Sequence, residues 1–402
     1  MNITLFEIKL MNIESQQKKK SIILSLLFFI HGAVYASLVP WLPEIKERFE
    51  LSNAMVGIMV SAIPAGSITF GLLSNRFINF IGLYWATNIT FLFLIICISI
   101  VPFSSSWYGI ILTLFLFGIS DSWGDTCINV QAINVQKSSG QSLINRFHGV
   151  GSIGTIWGGV IAVTAIGVGL SMAQFSLTIF CINLTMLTTY IIFFRGVKPQ
   201  GEVFSQGSHK QKISYSENQL YVIPLILLVF TCGIEETASI WGAIYMKEYY
   251  EASPAISGLP YLGCQICMAI GRIFGDYFTN KFGKMNTLKC GVIIAALGVI
   301  TVVSIYSSPF TILGFSLIGL GISVVFPLVI SFIGQLPNIN ATNGITFATW
   351  TSRIGLLITP PILGILADMT SLRFALIAIF IGCLFILLLI NILSRKLIEL
   401  DS

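Results

Sequence analysis

Residues 26–58 read LLFFIHGAVYASLVPWLPEIKERFELSNAMVGI, and residues 227–259 read LLVFTCGIEETASIWGAIYMKEYYEASPAISGL. A shift of 201 residues aligns the two stretches without a gap, and the register persists to NFIG (79–82) and NKFG (280–283). The shared positions include Gly32 and Gly233, Lys46 and Lys247, and Glu47 and Glu248. Self-similarity at a fixed spacing indicates an internal repeat. The chain is therefore predicted to consist of two similar halves.

The composition excludes a soluble protein. Hydrophobic residues make up 55% of the 402 residues and charged residues only 10%, with a mean hydropathy of +0.88. A soluble domain usually has about 25% charged residues, so most of this surface must lie in a non-aqueous environment. The net charge of +5 comes from cations in short loops between apolar runs, without the basic stripe of a nucleic-acid-binding protein. The lipid bilayer is the expected surrounding, and no nucleic-acid partner is expected.

Twelve apolar runs are each long enough, at roughly 20 residues, to cross a bilayer as a helix. The first six predicted spans are 21–41, 54–73, 83–103, 107–136, 147–168 and 173–194. The other six are 220–246, 255–277, 286–306, 309–333, 344–367 and 372–393. The predicted fold is an all-α membrane protein of twelve transmembrane helices in two pseudo-symmetric halves. Its predicted parts are an N-terminal tail (1–20), a first six-helix half (21–194), a central loop (195–219), a second six-helix half (220–393) and a C-terminal tail (394–402).

The loop charges predict the orientation. Most of the 22 cations lie in the two tails, the central loop and the loops on that same side of the membrane. The opposite side has only Lys46, Arg48, Lys247 and Arg373. The positive-inside rule places the cation-rich side in the cytoplasm, so we expect a multi-pass protein of a bacterial inner membrane with both termini cytoplasmic. Two halves in the same orientation imply a substrate path between them.

Five segments carry a resemblance to a known family. They are DTCINVQ (125–131), NRFHGVGSIGTIWGG (145–159), GIEETASIWGAIYM (233–246), GRIFGDYFTNKFG (271–283) and ITPPILGILAD (358–368). Over essentially its whole length the chain resembles the major facilitator superfamily, and within it the branch of fucose permease and its sugar-permease-like relatives. The resemblance implies alternating-access transport between two six-helix halves.

The resemblance also implies roles for single residues. In fucose permease an acid in an acid-x-x-x-Asn pattern couples proton movement to sugar, and Asp125 with Asn129 matches this pattern. The second acid of that relative, in helix 1, is replaced here by Ala36 or Ser37. The loop motif after helices 2 and 8 has asparagine at its aspartate positions. The predicted gating residues at that side of the membrane are Asn79, Asn280, Lys281, Arg146, His148, Arg272 and Asp276.

Ionisable residues inside predicted spans are functional candidates by default, because the bilayer interior makes them costly. Asp121 and Asp125 are four residues apart and therefore share one helix face. The depth of Asp121 in its span favours it as a proton carrier, whereas the family pattern favours Asp125. We expect proton coupling to use Asp125 or Asp121, with Glu235 and His31 as further proton-coupling candidates.

Arg353 lies near the middle of the eleventh span. A guanidinium does not lose its charge in practice, so it requires a carboxylate partner or an anionic ligand. The sequence leaves three alternatives open: a salt bridge to Glu235 or to an acid of helix 4, a clamp for a substrate carboxylate or phosphate, or a static ion pair between helices. The other residues predicted to bind substrate are Tyr35, Asn129, Gln131, Gln265 and Trp350.

These features predict a secondary active transporter that moves a small polar solute, with sugar or polyol uptake by proton symport as the first hypothesis. Transport of a small organic anion through Arg353 and drug efflux are alternatives. A receptor or a membrane enzyme is a remote one, because the three histidines are scattered and form no catalytic or metal-binding set. We expect no cofactor, a proton gradient as the driving force, and a functional monomer.

Overall fold

The computed structural model describes residues 2–139, 143–194, 215–336 and 341–401. This part of the chain is helical throughout, without strands. The first six long helices are α1 Asn2–Ala36, α2 Asn53–Gly71, α3 Leu83–Ile100, α4 Trp107–Ser139, α5 Ile144–Gly167 and α6 Met172–Phe193. The other six are α7 Tyr215–Tyr250, α8 Leu259–Phe282, α9 Lys284–Ser304, α10 Ser308–Ile322 with its continuation Val325–Ile333, α11 Ala341–Met369 and α12 Ile377–Asp401. Short helices connect them at Val39–Trp41, Leu42–Arg48, Ser74–Ile81, Val101–Phe103, Pro254–Ser257 and Leu372–Ala375.

The predicted fold class is confirmed. Eleven helical segments of the described residues are long and apolar enough to cross a membrane. The twelfth, α4, has 33 residues and is long enough at about 1.5 Å per residue. Its apolar character is interrupted by Asp121 and Asp125. The chain is therefore a multi-pass integral membrane protein.

The two segments predicted as tails are helical where the structure describes them. The segment predicted as an N-terminal tail, 1–20, is helical from Asn2 onward and continuous with α1. The segment predicted as a C-terminal tail, 394–402, belongs to α12 as far as Asp401. Both segments lack glycine and proline, so no residue in them breaks the helix. Most of the predicted central loop, 195–219, lies outside the described residues.

The internal repeat is visible in the backbone. Glu50 and Glu251, which are 201 positions apart, have positive φ values of 52° and 49°. Gly82 and Gly283, also 201 apart, have φ values of 84° and 81°. Gly82 follows the short helix Ser74–Ile81 and Gly283 follows α8, and each comes directly before the next long helix. Positive φ is uncommon for residues other than glycine, so its recurrence at one register confirms that the two halves repeat the same backbone path.

Within each half, the first helix packs closely against the fifth. A Cβ added at Gly32 of α1 would overlap the carbonyl oxygen of Gly151 in α5. The equivalent Gly233 of α7 faces Thr359 and Gly355 of α11 in the same way. Small residues at such crossings let helix backbones approach in a membrane. The glycines therefore fix how the polar faces of α1 and α7 are presented to the interface between the halves.

The two halves are in contact at one side of the bundle. We call the side with Leu42–Arg48 and Pro254–Ser257 the distal side. The side with Ser74–Ile81, where both chain termini lie, is the terminal side. At the distal side the Asp368 carboxylate of α11 accepts hydrogen bonds from the backbone N–H groups of Asn53 and Ala54 at the start of α2, both at 2.8 Å. There α5 also touches α8, where a Cβ on Gly159 would meet the Tyr261 ring.

The same two helices are apart near the terminal side. A Cβ added at Gly149 of α5 would have no neighbour within 4 Å. His148 and Arg146 of α5 are exposed, as is Arg272 of α8. Charged groups facing the space between α5 and α8 require water there. The interface is therefore closed at the distal side and open towards the terminal side.

Candidate functional site

The centre of the first half contains a salt bridge between α1 and α4. The Nε2 atom of His31 lies 3.0 Å from Oδ1 of Asp121, and about a quarter of each side chain is exposed, at 24% and 26%. The same nitrogen lies 3.4 Å from the Asp121 carbonyl oxygen. The sequence predicted both residues as proton-coupling candidates but not their contact. The pair is therefore only partly buried between the two helices.

Asp125 lies one turn further along α4. Its carboxylate accepts a hydrogen bond from Nδ2 of Asn129 at 2.9 Å, and the same amide donates to the Asp125 carbonyl oxygen at 2.8 Å. Asp125 also lies within electrostatic range of His31 and His148. Among the described residues no cation comes within salt-bridge distance of it. The acid-x-x-x-Asn pattern thus forms a local unit on one helix.

The centre of the second half contains the salt bridge Glu235–Arg272, with 3.2 Å between Oε1 and Nη2. Arg272 and Asp276, both predicted as gating residues, are four residues apart on α8. Arg272 contacts Glu235 of α7, because the long arginine side chain reaches from α8 across to the next helix. The side chain of Asp276 lies outside the described residues.

One hydrogen bond joins the two halves at mid-depth. The Tyr35 hydroxyl of α1 donates to Oε1 of Glu236 in α7 at 3.0 Å. Tyr35 was predicted to bind substrate, whereas Glu236 was absent from the predicted site. The repeat could have identified Glu236, because the two residues are 201 positions apart and therefore equivalent in the two halves.

Arg353 of α11 has no salt bridge or hydrogen bond within the described part of the chain. A Cβ added at Gly71 of α2 would lie 3.9 Å from its Nη1 atom, and the guanidinium lies within electrostatic range of Asp121. Glu235 pairs with Arg272 and Asp121 with His31, while Asp125 accepts a hydrogen bond from Asn129. The described residues therefore show no salt bridge from Arg353 to Glu235 or to an acid of helix 4 in this conformation. The second alternative, a clamp for an anionic substrate group, stays a prediction.

The other predicted substrate-binding residues occupy different environments. Gln265 of α8 donates to the Ser239 hydroxyl of α7 at 3.2 Å. Trp350 is half-buried, and its Nε1 atom has no hydrogen-bond partner. Gln131, by contrast, is buried inside the first half, where it accepts a hydrogen bond from the Tyr190 hydroxyl at 2.7 Å. Its amide is used to hold α4 against α6, so this position does not line the path between the halves.

The predicted gating residues of the loop motifs lie at the terminal side and are exposed. Asn79 belongs to Ser74–Ile81, and Asn280 and Lys281 lie at the end of α8. Lys281 packs over the rings of Tyr277 and Phe282, at 5.9 and 5.4 Å from their centroids. The described side chains show no hydrogen bond or salt bridge from these three residues to the other half. The described residues also contain no cluster of three His, Cys, Asp or Glu side chains that could hold a metal ion.

Two repeated six-helix halves that meet around ionisable groups are typical of membrane transport proteins. The chain belongs to the Major Facilitator Superfamily, whose family model matches residues 24–351 and, in an overlapping second match, residues 225–398. It is therefore a transporter of this superfamily.

Two bacterial relatives are similar to most of the chain. An uncharacterised MFS-type transporter of Yersinia pestis is 27% identical over 377 residues, covering 90% of this chain and 92% of that protein. Membrane protein MosC of Rhizobium meliloti is 25% identical over 354 residues, covering 88% and 84%. Full-length similarity of this kind supports one continuous transporter fold.

Solved structures share the fold at low sequence identity. The nucleoside transporter NupG matches with a TM-score of 0.72 and 12% identity, covering 94% of this chain and 99% of its own. A bacterial homologue of the human lysosomal transporter Spinster, in an inward-facing and unoccupied conformation, matches with a TM-score of 0.71 and 12% identity, covering 96% and 98%. The human organic anion transporter MFSD10 matches with a TM-score of 0.65 and 12% identity, covering 93% and 99%.

Proposed function

We propose that this protein is a secondary active transporter that moves a small polar solute, a sugar or polyol, together with protons. The observation that carries the proposal is the titratable pair His31–Asp121, with Asp125 one turn away, at the meeting point of two halves that are open to one side only. A transporter of this kind must expose one polar centre to each side of the membrane in turn. A single chain, with residues 21–194 and 220–393 as its two moving units, is the proposed functional form.

The proposed location is the inner membrane of a bacterium, with both termini in the cytoplasm. The excess of Lys and Arg in the loops of the terminal side supports this orientation. In that orientation the opening towards the terminal side is an inward-facing conformation. The similarity to the inward-facing Spinster homologue supports the same interpretation.

The groups around the centre favour a hydroxyl-rich solute. The Tyr35 hydroxyl, the Gln265 amide and the Trp350 indole N–H all belong to helices that meet at the interface. Hydroxyl and amide groups exchange hydrogen bonds with sugar hydroxyls in either direction, and an aromatic face packs against a sugar ring. The resemblance of several segments to the fucose permease branch supports the same class of substrate.

A small organic anion is the second candidate because of Arg353. Its guanidinium has no carboxylate partner in the described residues, and such a group forms paired hydrogen bonds with a carboxylate or phosphate. The similarity in fold to an organic anion transporter is compatible with this candidate.

Transport into proteoliposomes tests both candidates. Purified protein is reconstituted, and uptake of labelled hexoses, polyols, nucleosides and organic acids is measured with and without an imposed pH gradient. A pH-sensitive dye inside the vesicles reports proton movement. We expect one chemical class to show counterflow and accumulation driven by an inward proton gradient. Counterflow without any change of internal pH would contradict proton symport, and absence of counterflow for all classes would contradict these substrate classes.

A further inference from the structure

The hydrogen bond between Tyr35 and Glu236 lies on the pseudo-twofold axis that relates the two halves. In a twofold arrangement, two equivalent residues touch each other only where the axis passes between them, and these residues occupy equivalent positions. Tyr35 comes four residues after His31 on the way to the distal side. The bond therefore lies between the central polar groups and the distal contacts that close the interface.

Glu236 differs from the central acids that have a cationic partner. Asp121 has His31 and Glu235 has Arg272, whereas within the described part of the chain the Glu236 carboxylate has one hydrogen-bond partner, the Tyr35 hydroxyl. No described cation lies within salt-bridge distance of it. The titratable groups within its electrostatic range are Tyr35 of α1, Tyr261 of α8, and Glu235 and Cys232 of α7. All of these are neutral or negative.

This environment affects the two protonation states differently. An ionised carboxylate that is half-buried, as that of Glu236 is, and has no cation beside it loses part of its hydration, and one hydrogen bond from a phenol replaces only some of this. A protonated carboxyl is neutral and can still accept the hydrogen bond from Tyr35. Opening of the distal side would separate α1 from α7 and let water reach the carboxylate. The closed conformation therefore binds the proton on Glu236 more tightly than the open one.

We propose that Glu236 is a proton-binding residue that latches α1 to α7 through Tyr35 when it is protonated, and that loss of its proton releases the distal side. The proposal rests on the proposed alternating-access function and adds a second coupling position, supplied by the second half. The direction of the pH effect on the distal side follows from linkage, because the conformation that binds the proton more tightly is favoured at low pH. Low pH thus keeps the distal side closed, and high pH opens it.

Hydrogen exchange measured by mass spectrometry tests the latch without knowledge of the substrate. The full-length protein in lipid nanodiscs is followed from about pH 5.5 to about pH 8.5, a range that brackets titration of a half-buried carboxyl without a cationic partner. The rates are corrected for intrinsic chemical exchange. The reporters are the distal segments 37–52 and 247–258. In the wild type we expect their corrected exchange to rise with pH, by up to about tenfold per unit for one coupled proton.

The variants separate protonation from the hydrogen bond. Glu236→Gln cannot ionise but still accepts from Tyr35, so its distal segments should stay at the slow, low-pH rate throughout. Glu236→Asp retains a titrating carboxyl and should keep a pH response. Tyr35→Phe removes the hydrogen bond and should exchange faster even at low pH. Tyr261→Phe is the matched control, because this phenol also lies within electrostatic range of Glu236 but shows no hydrogen bond to it among the described residues, so its loss should leave the pH response in place.

Two results would overturn the latch: a Glu236→Gln variant that opens with pH as the wild type does, or a wild type whose distal exchange does not depend on pH. A distal side that stays closed in the wild type and in Tyr35→Phe at every pH would contradict alternating access itself. Distal opening that is the same in the wild type and in the Glu236 variants would contradict the latch but not alternating access.

Discussion

At the scale of single residues, the central charges do not all pair. The acids are Asp121, Asp125, Glu235 and Glu236, and the cationic candidates are His31, Arg272 and Arg353. Two salt bridges form, and Asp125, Glu236 and Arg353 remain outside them. Charged groups in a membrane protein face a wet cavity or mark a transport path. We therefore propose these three groups, together with the His31–Asp121 pair, as the positions where a proton or a charged substrate acts.

The first prediction concerns Asp125. Asp125→Asn removes an acid whose only close partner is an amide, so we expect loss of proton-driven accumulation with counterflow retained. Asp121→Asn is the comparison, because it leaves His31 without its partner and should reduce counterflow as well. Both rates are measured in the same proteoliposomes. Equal loss of accumulation and counterflow in Asp125→Asn would indicate a binding or structural role instead.

The second prediction concerns Arg353. If it binds an anionic substrate group, Arg353→Gln should weaken transport of anions by roughly 10- to 150-fold, the equivalent of ~1.5–3 kcal/mol for hydrogen bonds to a charged group. Neutral substrates should be affected little. Arg353→Lys keeps the charge but loses the planar paired geometry, so an intermediate loss is expected. Competition by unlabelled anions and sugars measures the difference, and an equal loss for both would remove the argument for an anion.

At the scale of helices, glycines determine which surfaces meet. Gly57 of α2 faces the carbonyl of Pro360 in α11, and Gly364 of α11 faces Asn53 at the start of α2. Helix pairs that approach this closely can slide or rock only as rigid surfaces, because protein interiors are close-packed. The α5–α8 pair differs from α2–α11. On α5, Gly159 is in contact with α8, whereas a Cβ at Gly149 would have no neighbour within 4 Å. The pair is therefore suited to a test of whether the two halves rock against each other during transport.

The third prediction uses Gly159 and Gly149, two glycines of α5. Gly159→Trp would collide with Tyr261 and Leu262 of α8 at the distal side, at a cost of about 1–3 kcal/mol for overpacking. It should open the distal side and accelerate exchange of 37–52. Gly149→Trp has free space in this conformation, so it should leave distal exchange slow and instead block closure of the terminal side. Transport should be lost in both, and identical exchange in both would contradict rocking between α5 and α8.

For the protein as a whole, patterns along the sequence were sufficient to predict the fold. The arrangement of the candidate site depends on contacts between helices that those patterns do not show. Hydropathy and the 201-residue shift are sufficient for twelve spans in two halves. The partner of Arg272 is not readable from sequence, because it depends on how far α8 is rotated against α7. Gln131 was misplaced for the same reason, since its helix face meets α6 and not the interface. The contact of Tyr35 with Glu236 was readable in principle, because the repeat makes the two positions equivalent.

The repeat also accounts for the distal closure. Lys46 forms an ion pair with Glu248, and Lys247 forms one with Glu47 at 3.2 Å. The lysine of each half therefore pairs with the glutamate of the other half. This is the self-complementary contact of a twofold interface. The sequence showed both Lys-Glu pairs, but their crosswise contact requires the two halves to meet around the axis. Two ion pairs at equivalent positions therefore contribute to closure of the distal side.

The fourth prediction follows from these two ion pairs. Because they are partly exposed, each should contribute only ~0.2–1 kcal/mol to closure, or roughly 1.4- to 5-fold in the closing equilibrium. Lys46→Glu places like charges together and should accelerate exchange of 247–258, whereas Lys46→Glu combined with Glu248→Lys should restore the wild-type rate. Glu47→Lys with Lys247→Glu is the matched swap at the equivalent position and should behave alike. High salt should reduce all of these differences by screening. A double swap that remains as open as the single reversal would show that another contact holds the distal side closed.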